Sequence, residues 1–306
     1  MNIKKASRLE IAYIIATALL AVAAVVLRTL SLFLYFDTDI AYHTRDAWLP
    51  VVSHTLAAAS VIFFIVFSAV SFRKMPIEYS KKPPIAARIG AGLCALATFF
   101  IAVADLSSQT AVIGVIFSLG ATLYFLSVAS GRCDGLVGVI SGLCVIARTI
   151  LALSQAYFNV KIQMNAPDKI FFMTASLALM LFVCAELRAI VGRARPVGYR
   201  VFASASALMC AAASLPSILA YYAGHINELA VRIEFYFMLL AFSVYSMIRL
   251  VCITLCEVAK DTKDTKDTED TEESAEADEP LENTEAQEDN ENNADNTDNV
   301  NDEETV

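Results

Sequence analysis

The chain has 306 residues, 57% of them hydrophobic, and a mean hydropathy of +0.56. Its apolar residues form long runs separated by short polar loops. Apolar runs of that length span membranes, whereas soluble domains mix apolar and polar positions. The composition therefore excludes an ordinary soluble protein and indicates a membrane protein with several spans.

The net charge of −9 combines two segments of opposite sign. Residues 1–256 carry a net charge of +9, and residues 257–306 carry −18. The low isoelectric point of about 4.9 therefore comes from the C-terminal segment. A segment with that charge repels nucleic acid, so we expect no nucleic-acid partner.

Eight segments are apolar and long enough to cross a bilayer, since a helix needs about 20 residues for that. Barrel strands would instead be about 10 residues long and would alternate in polarity. The sequence predicts an all-α integral membrane protein, an eight-helix transmembrane bundle over residues 1–256. Its predicted spans are 11–36, 48–72, 85–106, 111–129, 136–158, 170–190, 201–222 and 230–256.

Lysine and arginine are distributed unequally between the two sides of these spans. With the N-terminus inside, the inner side carries fourteen of them and the outer side four. Because cytoplasmic loops retain Lys and Arg, the sequence predicts a cytoplasmic N-terminus in a plasma or cytoplasmic membrane. An even number of spans places the C-terminus on the same side.

The first span allows a second interpretation. Lys4, Lys5 and Arg8 precede an apolar run that contains Ala21-Val22-Ala23, as in a cleavable signal peptide. The apolar run continues past that point to Phe36, however, which favours a retained span. Cleavage would leave seven spans and an outside N-terminus.

The two halves of the bundle share a weak pattern. Val25-x-x-Arg28-Thr29, followed by Tyr35-Phe36, resembles Val145-x-x-Arg148-Thr149, followed by Tyr157-Phe158. We expect either two parallel four-helix repeats or a chance similarity between apolar helices.

Small residues indicate close helix packing. Gly138 and Gly142 have the GxxxG spacing in the fifth span, and Gly90 and Gly92 lie in the third. Such residues let helix backbones approach closely. The seam that they form is either internal to one bundle or lies between two copies of the chain.

Five ionisable residues lie within spans at a similar distance from the predicted outer boundary: Arg28, His54, Asp105, Arg148 and Glu234. Charges within the membrane are costly and mark functional sites or internal pairs. One interpretation pairs Arg28 and Arg148 with Asp105 and Glu234 inside the protein. A second makes all five the lining of an outward-facing pocket whose arginines bind an anionic group. In a third, the arginines extend to the membrane interface.

Other chemistry has little support. Glu186 and Arg249, near inner span ends, are expected at the membrane interface. Three histidines, no HExxH motif, no GxSxG motif and no phosphate-binding glycine loop leave no catalytic or metal signature and imply no cofactor. An enzyme that uses Arg28, His54 and Asp105 remains an alternative.

The C-terminal segment, residues 257–306, consists mostly of Asp, Glu, Asn and Thr. It cannot bury enough apolar surface to offset its chain entropy, so we expect a disordered acidic tail. The tail either solvates the protein or binds a basic partner, such as another protein or the chain's own inner loops.

These patterns favour a small-solute transporter or channel-like protein in the lipid bilayer, with an outward-facing polar cavity that binds an anionic solute. The alternative belongs to another class. It is a non-catalytic interaction or sensory protein that acts through its disordered cytoplasmic tail.

Overall fold

The computed structural model describes residues 8–37, 42–43, 47–73, 83–107, 112–132, 135–226 and 228–255. The predicted acidic tail lies outside the described residues. Over the described ranges the protein has eight helices, and each is long and apolar enough to cross a membrane. The prediction of an all-helical, multi-pass membrane protein is confirmed to that extent.

The helices follow the predicted apolar runs. They are α1 (Arg8–Tyr35), α2 (Trp48–Ser71), α3 (Ile85–Ser107), α4 (Val112–Ser130), α5 (Gly135–Phe158), α6 (Pro167–Ile190), α7 (Pro196–Tyr222) and α8 (Ile233–Leu255). Two short strands also form after α1, with β1 (Phe36–Asp37) antiparallel to β2 (Tyr42–His43).

Two boundaries differ from the predicted spans for local reasons. Helix α6 begins at Pro167, three residues before the apolar run, because proline and an acidic residue both suit the first helical turn. Helix α8 begins at Ile233 rather than at 230, and in the segment before it the Ala230 N–H is bound to the Asp168 carboxylate.

Helix α7 is the most deeply buried of the eight and packs against α1, α2, α6 and α8. Its inward positions are mostly alanine and serine, which permit close approach on several sides. Helix α3 packs against α8 and α4, and α5 packs against α4 and α6, which completes the bundle. The core runs between these helices and includes Phe125, Phe172, Phe182 and Phe242.

The prediction of two four-helix repeats is not confirmed. Helix α6 packs extensively against α7, whereas their counterparts α2 and α3 are not among the extensively packed pairs of the described helices.

The glycines have several environments. A Cβ at Gly142 would lie 2.4 Å from Leu187 Cδ2, and one at Gly90 would lie 3.1 Å from Ile248 Cδ1, so both glycines serve internal packing. A Cβ at Gly92 would meet open space.

Candidate functional site

Two buried clusters of charged residues lie at one end of the bundle. We call this the outer end, following the predicted orientation; it is where α1, α3, α5 and α7 finish. The Asp105 cluster comprises Asp105, Ser118, Arg148 and Arg232. The Asp168 cluster comprises Arg28, Asp168, Ser217 and Tyr236.

Two arginines hold the carboxylate of Asp105. Arg148 Nη2 donates to Oδ2 at 2.8 Å, and Arg148 Nε donates to Ser118 Oγ at 2.7 Å. Arg232 donates to Oδ1 and, at 3.3 Å, to the carbonyl of Ala104. Both Asp105 and Arg148 are 2% exposed. Since a buried charge is stable only when paired, the cluster fixes α3, α4, α5 and the start of α8 to one another.

Four donors from three helices and a loop surround Asp168. Arg28 Nη2 lies 3.2 Å from Oδ1, which also accepts from Ser217 Oγ. The other oxygen accepts from Tyr236 O–H and, at 3.2 Å, from Ala230 N–H. The Asp168 cluster therefore ties α1, α6, α7 and α8 together.

The structure divides the five predicted residues between two places. Arg148 pairs with Asp105, as the internal-pairing interpretation expects. Glu234 lies next to the Asp105 cluster, where its Oε2 is 3.9 Å from Arg232 Nε.

The other two predicted residues both contact one aromatic ring, that of Phe171. Arg28 pairs with Asp168 rather than with Asp105 or Glu234, and its Cζ lies 3.8 Å from the Phe171 ring centroid. The His54 ring centroid is 4.8 Å from that of Phe171. His54 Nδ1 lies 2.6 Å from the Pro50 carbonyl oxygen, so this nitrogen carries the hydrogen.

His43, in β2, lies close to this second group. Its Nε2 is 3.4 Å from Ser31 Oγ. The pKa of His43 is lowered to about 4, mainly by burial and to a smaller extent by the nearby His54 and Arg28, while a hydrogen bond to the Tyr35 backbone acts in the opposite direction. His43 is therefore neutral at pH 7 and adds no charge beside Arg28.

The segment 228–232 connects the two clusters. The N–H of Ala230 binds Asp168, and its carbonyl accepts from Asn159 Nδ2 at 3.1 Å. Two residues later, Arg232 binds Asp105. A movement of this segment therefore acts on both clusters at once.

An open cavity of about 730 Å³ lies against this segment at the outer end. We call it the outer cavity. Lys161 lies 3.7 Å from Glu228 across it, and both side chains are largely exposed. Arg232 and Glu234 are about one third exposed. Its lining comprises Gln155, Phe158, Asn159, Lys161, Tyr221, Glu228, Leu229, Ala230, Val231, Arg232, Ile233 and Glu234.

The lining thus offers two cations, two carboxylates and two amides to a small polar molecule. Glu234 is the one predicted site residue in the wall, while Asp105 lies behind Arg232. Within the described ranges, no three His, Cys, Asp or Glu side chains are grouped so that they could hold a metal ion.

The sequence interpretation missed three residues of these clusters. Asp168 lies two residues before the predicted sixth span, and Arg232, near the start of the predicted eighth span, is one of the four cations counted on the outer side. The Pro167-Asp168 helix-start signal could have placed Asp168 in α6. Tyr236 is apolar enough to pass as an ordinary span residue.

The prediction that Glu186 and Arg249 lie at the membrane interface is wrong. Glu186 is fully buried, and it accepts hydrogen bonds from Arg249 Nε and from the Tyr245 hydroxyl, each at 2.7 Å. Tyr124 O–H donates to its other oxygen at 3.3 Å. Proximity to a span end did not distinguish a buried pair from an interfacial one.

A hydroxyl network lies at the same inner end. Tyr13 O–H lies 3.4 Å from the Arg200 carbonyl and accepts from Ser204 at 2.8 Å and Ser68 at 3.1 Å. Arg200 is 2% exposed and stacks 4.6 Å from the Phe72 ring centroid. Tyr13, which would be lost in the alternative signal-peptide interpretation, is therefore a buried part of the α1, α2 and α7 packing.

No known protein family matches this chain, and neither the curated proteins nor the solved structures compared with it show a match.

Proposed function

We propose that this multi-pass membrane protein is a small-solute transporter or channel-like protein whose outer cavity binds the anionic group of its solute. The observation that carries the proposal is the position of Arg232. Its guanidinium is part of the cavity wall and also binds Asp105, which is paired with the buried Arg148.

Arg232 is suited to exchange partners. Its contact with Glu234 is loose, at 3.9 Å, so a carboxylate or phosphate oxygen in the cavity can take that place. Lys161 supplies a second cation nearby in the lining. Arginine in particular favours such planar, two-pronged contacts with an oxyanion.

The acidic residues of the lining narrow the solute class. Glu228 and Glu234 repel a second negative charge and accept hydrogen bonds. A solute that carries an ammonium group or other donors beside its anionic group therefore suits the cavity better than a bare dianion. A zwitterion such as an amino acid is the simplest example.

The predicted site residues take different parts in this proposal. Glu234 contacts the solute region directly, and Asp105 and Arg148 hold Arg232 from behind. Arg28 is linked to the cavity wall indirectly, because the Asp168 carboxylate that it binds also accepts a hydrogen bond from the Ala230 N–H. His54 does not line the outer cavity.

The proposal is tested by ligand-dependent thermal unfolding of the detergent-purified protein. The probes are alanine, glutamate, succinate, acetate and inorganic phosphate. A ligand that binds only the folded state must stabilise it, by about 2.7 kcal/mol at a hundredfold excess over its Kd. We expect a zwitterionic probe to raise the unfolding temperature, and Arg232→Gln to weaken that binding at least about tenfold, or 1.4 kcal/mol.

Lys161→Gln is the control with a charge of the same sign in the same lining, and we expect a smaller loss because Lys161 is mostly exposed. No shift with any probe, from wild-type protein that unfolds cooperatively, would contradict a solute site. Attention would then turn to the alternative function through the acidic tail.

We also propose the predicted orientation, with both termini in the cytoplasm and the outer cavity facing outward. A Lys161→Cys variant should react with a membrane-impermeant maleimide in intact cells, and an Arg193→Cys variant should react only after lysis. Both side chains are exposed, at opposite ends of the bundle, and wild-type protein gives the background of the native cysteines. The reverse labelling pattern would show the opposite orientation and contradict this proposal.

A further inference from the structure

A second cavity, of about 590 Å³, opens on the side of the bundle between α2 and α6, with α7 as its floor. We call it the side groove. Its lining is apolar except for His54 and Thr174. The Thr174 hydroxyl donates to its own helix, at the Ile170 carbonyl 2.9 Å away, so His54 is the polar group that the groove presents.

The polar groups gather at the outer end of the side groove. His54, Ile170 and Phe171 line that end, and the guanidinium of Arg28 lies against the Phe171 ring. Arg28 is 2% exposed, yet its Nε and Nη1 have no hydrogen-bond partner among the described residues. An acceptor oxygen that reached this end would relieve the cost of these buried donors.

The remainder of the side groove is a hydrocarbon-lined channel. From His54 to Ile65 and from Ile170 to Leu181 it follows twelve residues of each helix, a rise of about 16 Å at 1.5 Å per residue. A single acyl chain is thin enough to lie within it.

We propose that the side groove is a binding site for an anionic membrane lipid. One acyl chain lies along α7 between α2 and α6. Headgroup oxygens accept hydrogen bonds from Arg28, and a headgroup hydroxyl donates to Nε2 of His54, whose Nδ1 hydrogen is bound to the Pro50 carbonyl. The cationic Arg28 favours an anionic headgroup over a zwitterionic one. The site is separate from the outer cavity and does not depend on the proposed solute.

A second apolar groove provides a matched control. It lies between α1 and α2, has a volume of about 470 Å³, and is lined by Ala16, Leu19, Leu20, Leu56, Ala59, Ser60 and Phe63. No ionisable side chain is in this lining, so it offers an acyl chain the same surface without an anchor for a headgroup.

The test is native mass spectrometry of the full-length protein with dioleoyl phosphatidylglycerol and, separately, dioleoyl phosphatidylcholine. We expect wild type to retain one phosphatidylglycerol at least about tenfold more tightly than phosphatidylcholine, or 1.4 kcal/mol. Ala178→Phe fills the side groove and should remove this lipid, whereas Ala59→Phe, in the control groove, should leave it bound.

Two further variants keep the test decisive. If Ala178→Phe does not fold, Leu181→Trp fills the same groove from a position that is 47% exposed. Arg28→Lys keeps a cation beside Asp168 but removes the unpartnered guanidinium donors, and should abolish the headgroup preference. Equal retention of the two lipids by wild type, or equal loss in both groove variants, would overturn the proposal.

Discussion

Replacing Asp168 with alanine is expected to lower the free energy of unfolding by about 3–5 kcal/mol, because the change leaves the Arg28 guanidinium buried without its counter-ion. The Ser217 and Tyr236 hydroxyls and the Ala230 N–H lose their acceptor as well. The measurement is equilibrium or thermal unfolding of the detergent-purified protein. Asp168→Asn keeps the shape and one acceptor oxygen, so its loss should be smaller.

Glu228→Ala is the matched control for this experiment. Glu228 is also an acidic residue in an ion pair at the outer end, but the pair is exposed. Exposed pairs contribute about 0–1 kcal/mol, so little change is expected. If Asp168→Ala were as stable as Glu228→Ala, the Asp168 cluster would not hold the helices together.

Gly120→Ala is expected to destabilise the protein by about 1–3 kcal/mol through overpacking between α4 and α5. A Cβ at Gly120 would lie 2.6 Å from Cys144 Sγ and 2.7 Å from Cys144 Cβ. The second atom is attached directly to the α5 backbone and cannot rotate away, so the helices must separate. Thermal unfolding of the purified variant measures this loss.

Two further variants test the cause of that loss. Gly92→Ala adds the same methyl group where nothing lies within 4 Å, and should be neutral or slightly stabilising. Cys144→Gly in the Gly120→Ala background removes both clashing atoms and should restore much of the stability. Failure of this second change to rescue would show that the loss does not come from the Gly120–Cys144 contact.

The sequence predicts the eight helices well because the length and polarity of an apolar run depend only on local residues. It also places Arg28, Arg148 and Asp105 at a shared depth, since depth follows from position along a helix. The Arg148–Asp105 pair agrees with that estimate.

The choice of partners could not be predicted in the same way. It depends on how each helix is rotated, and spans that are apolar on most faces carry little periodic signal for rotation. Arg28 therefore pairs with Asp168, a residue outside the predicted span, rather than with Asp105 or Glu234. The burial of Glu186 with Arg249 likewise depends on which helices surround α6.

The sequence predicts an outward-facing polar cavity but not the lining found here, because much of that lining is the segment 228–232, which the apolar pattern assigns partly to a loop and partly to the eighth span. Its shape follows from long-range contacts, such as Asn159 to Ala230 and Arg232 to Asp105. The small residues of α7 gave a usable signal for the centre of the bundle, because close packing on several sides requires them.

The measurement that tests solute transport most directly is uptake, into proteoliposomes, of whichever probe stabilises the purified protein. We predict saturable uptake by wild type, at least a tenfold loss of it in Arg232→Gln, and no loss in Gly92→Ala or after removal of residues 257–306. Tenfold corresponds to about 1.4 kcal/mol of binding free energy. Uptake that is absent from folded wild-type protein, or equal in Arg232→Gln, would contradict a transport function based on the outer cavity.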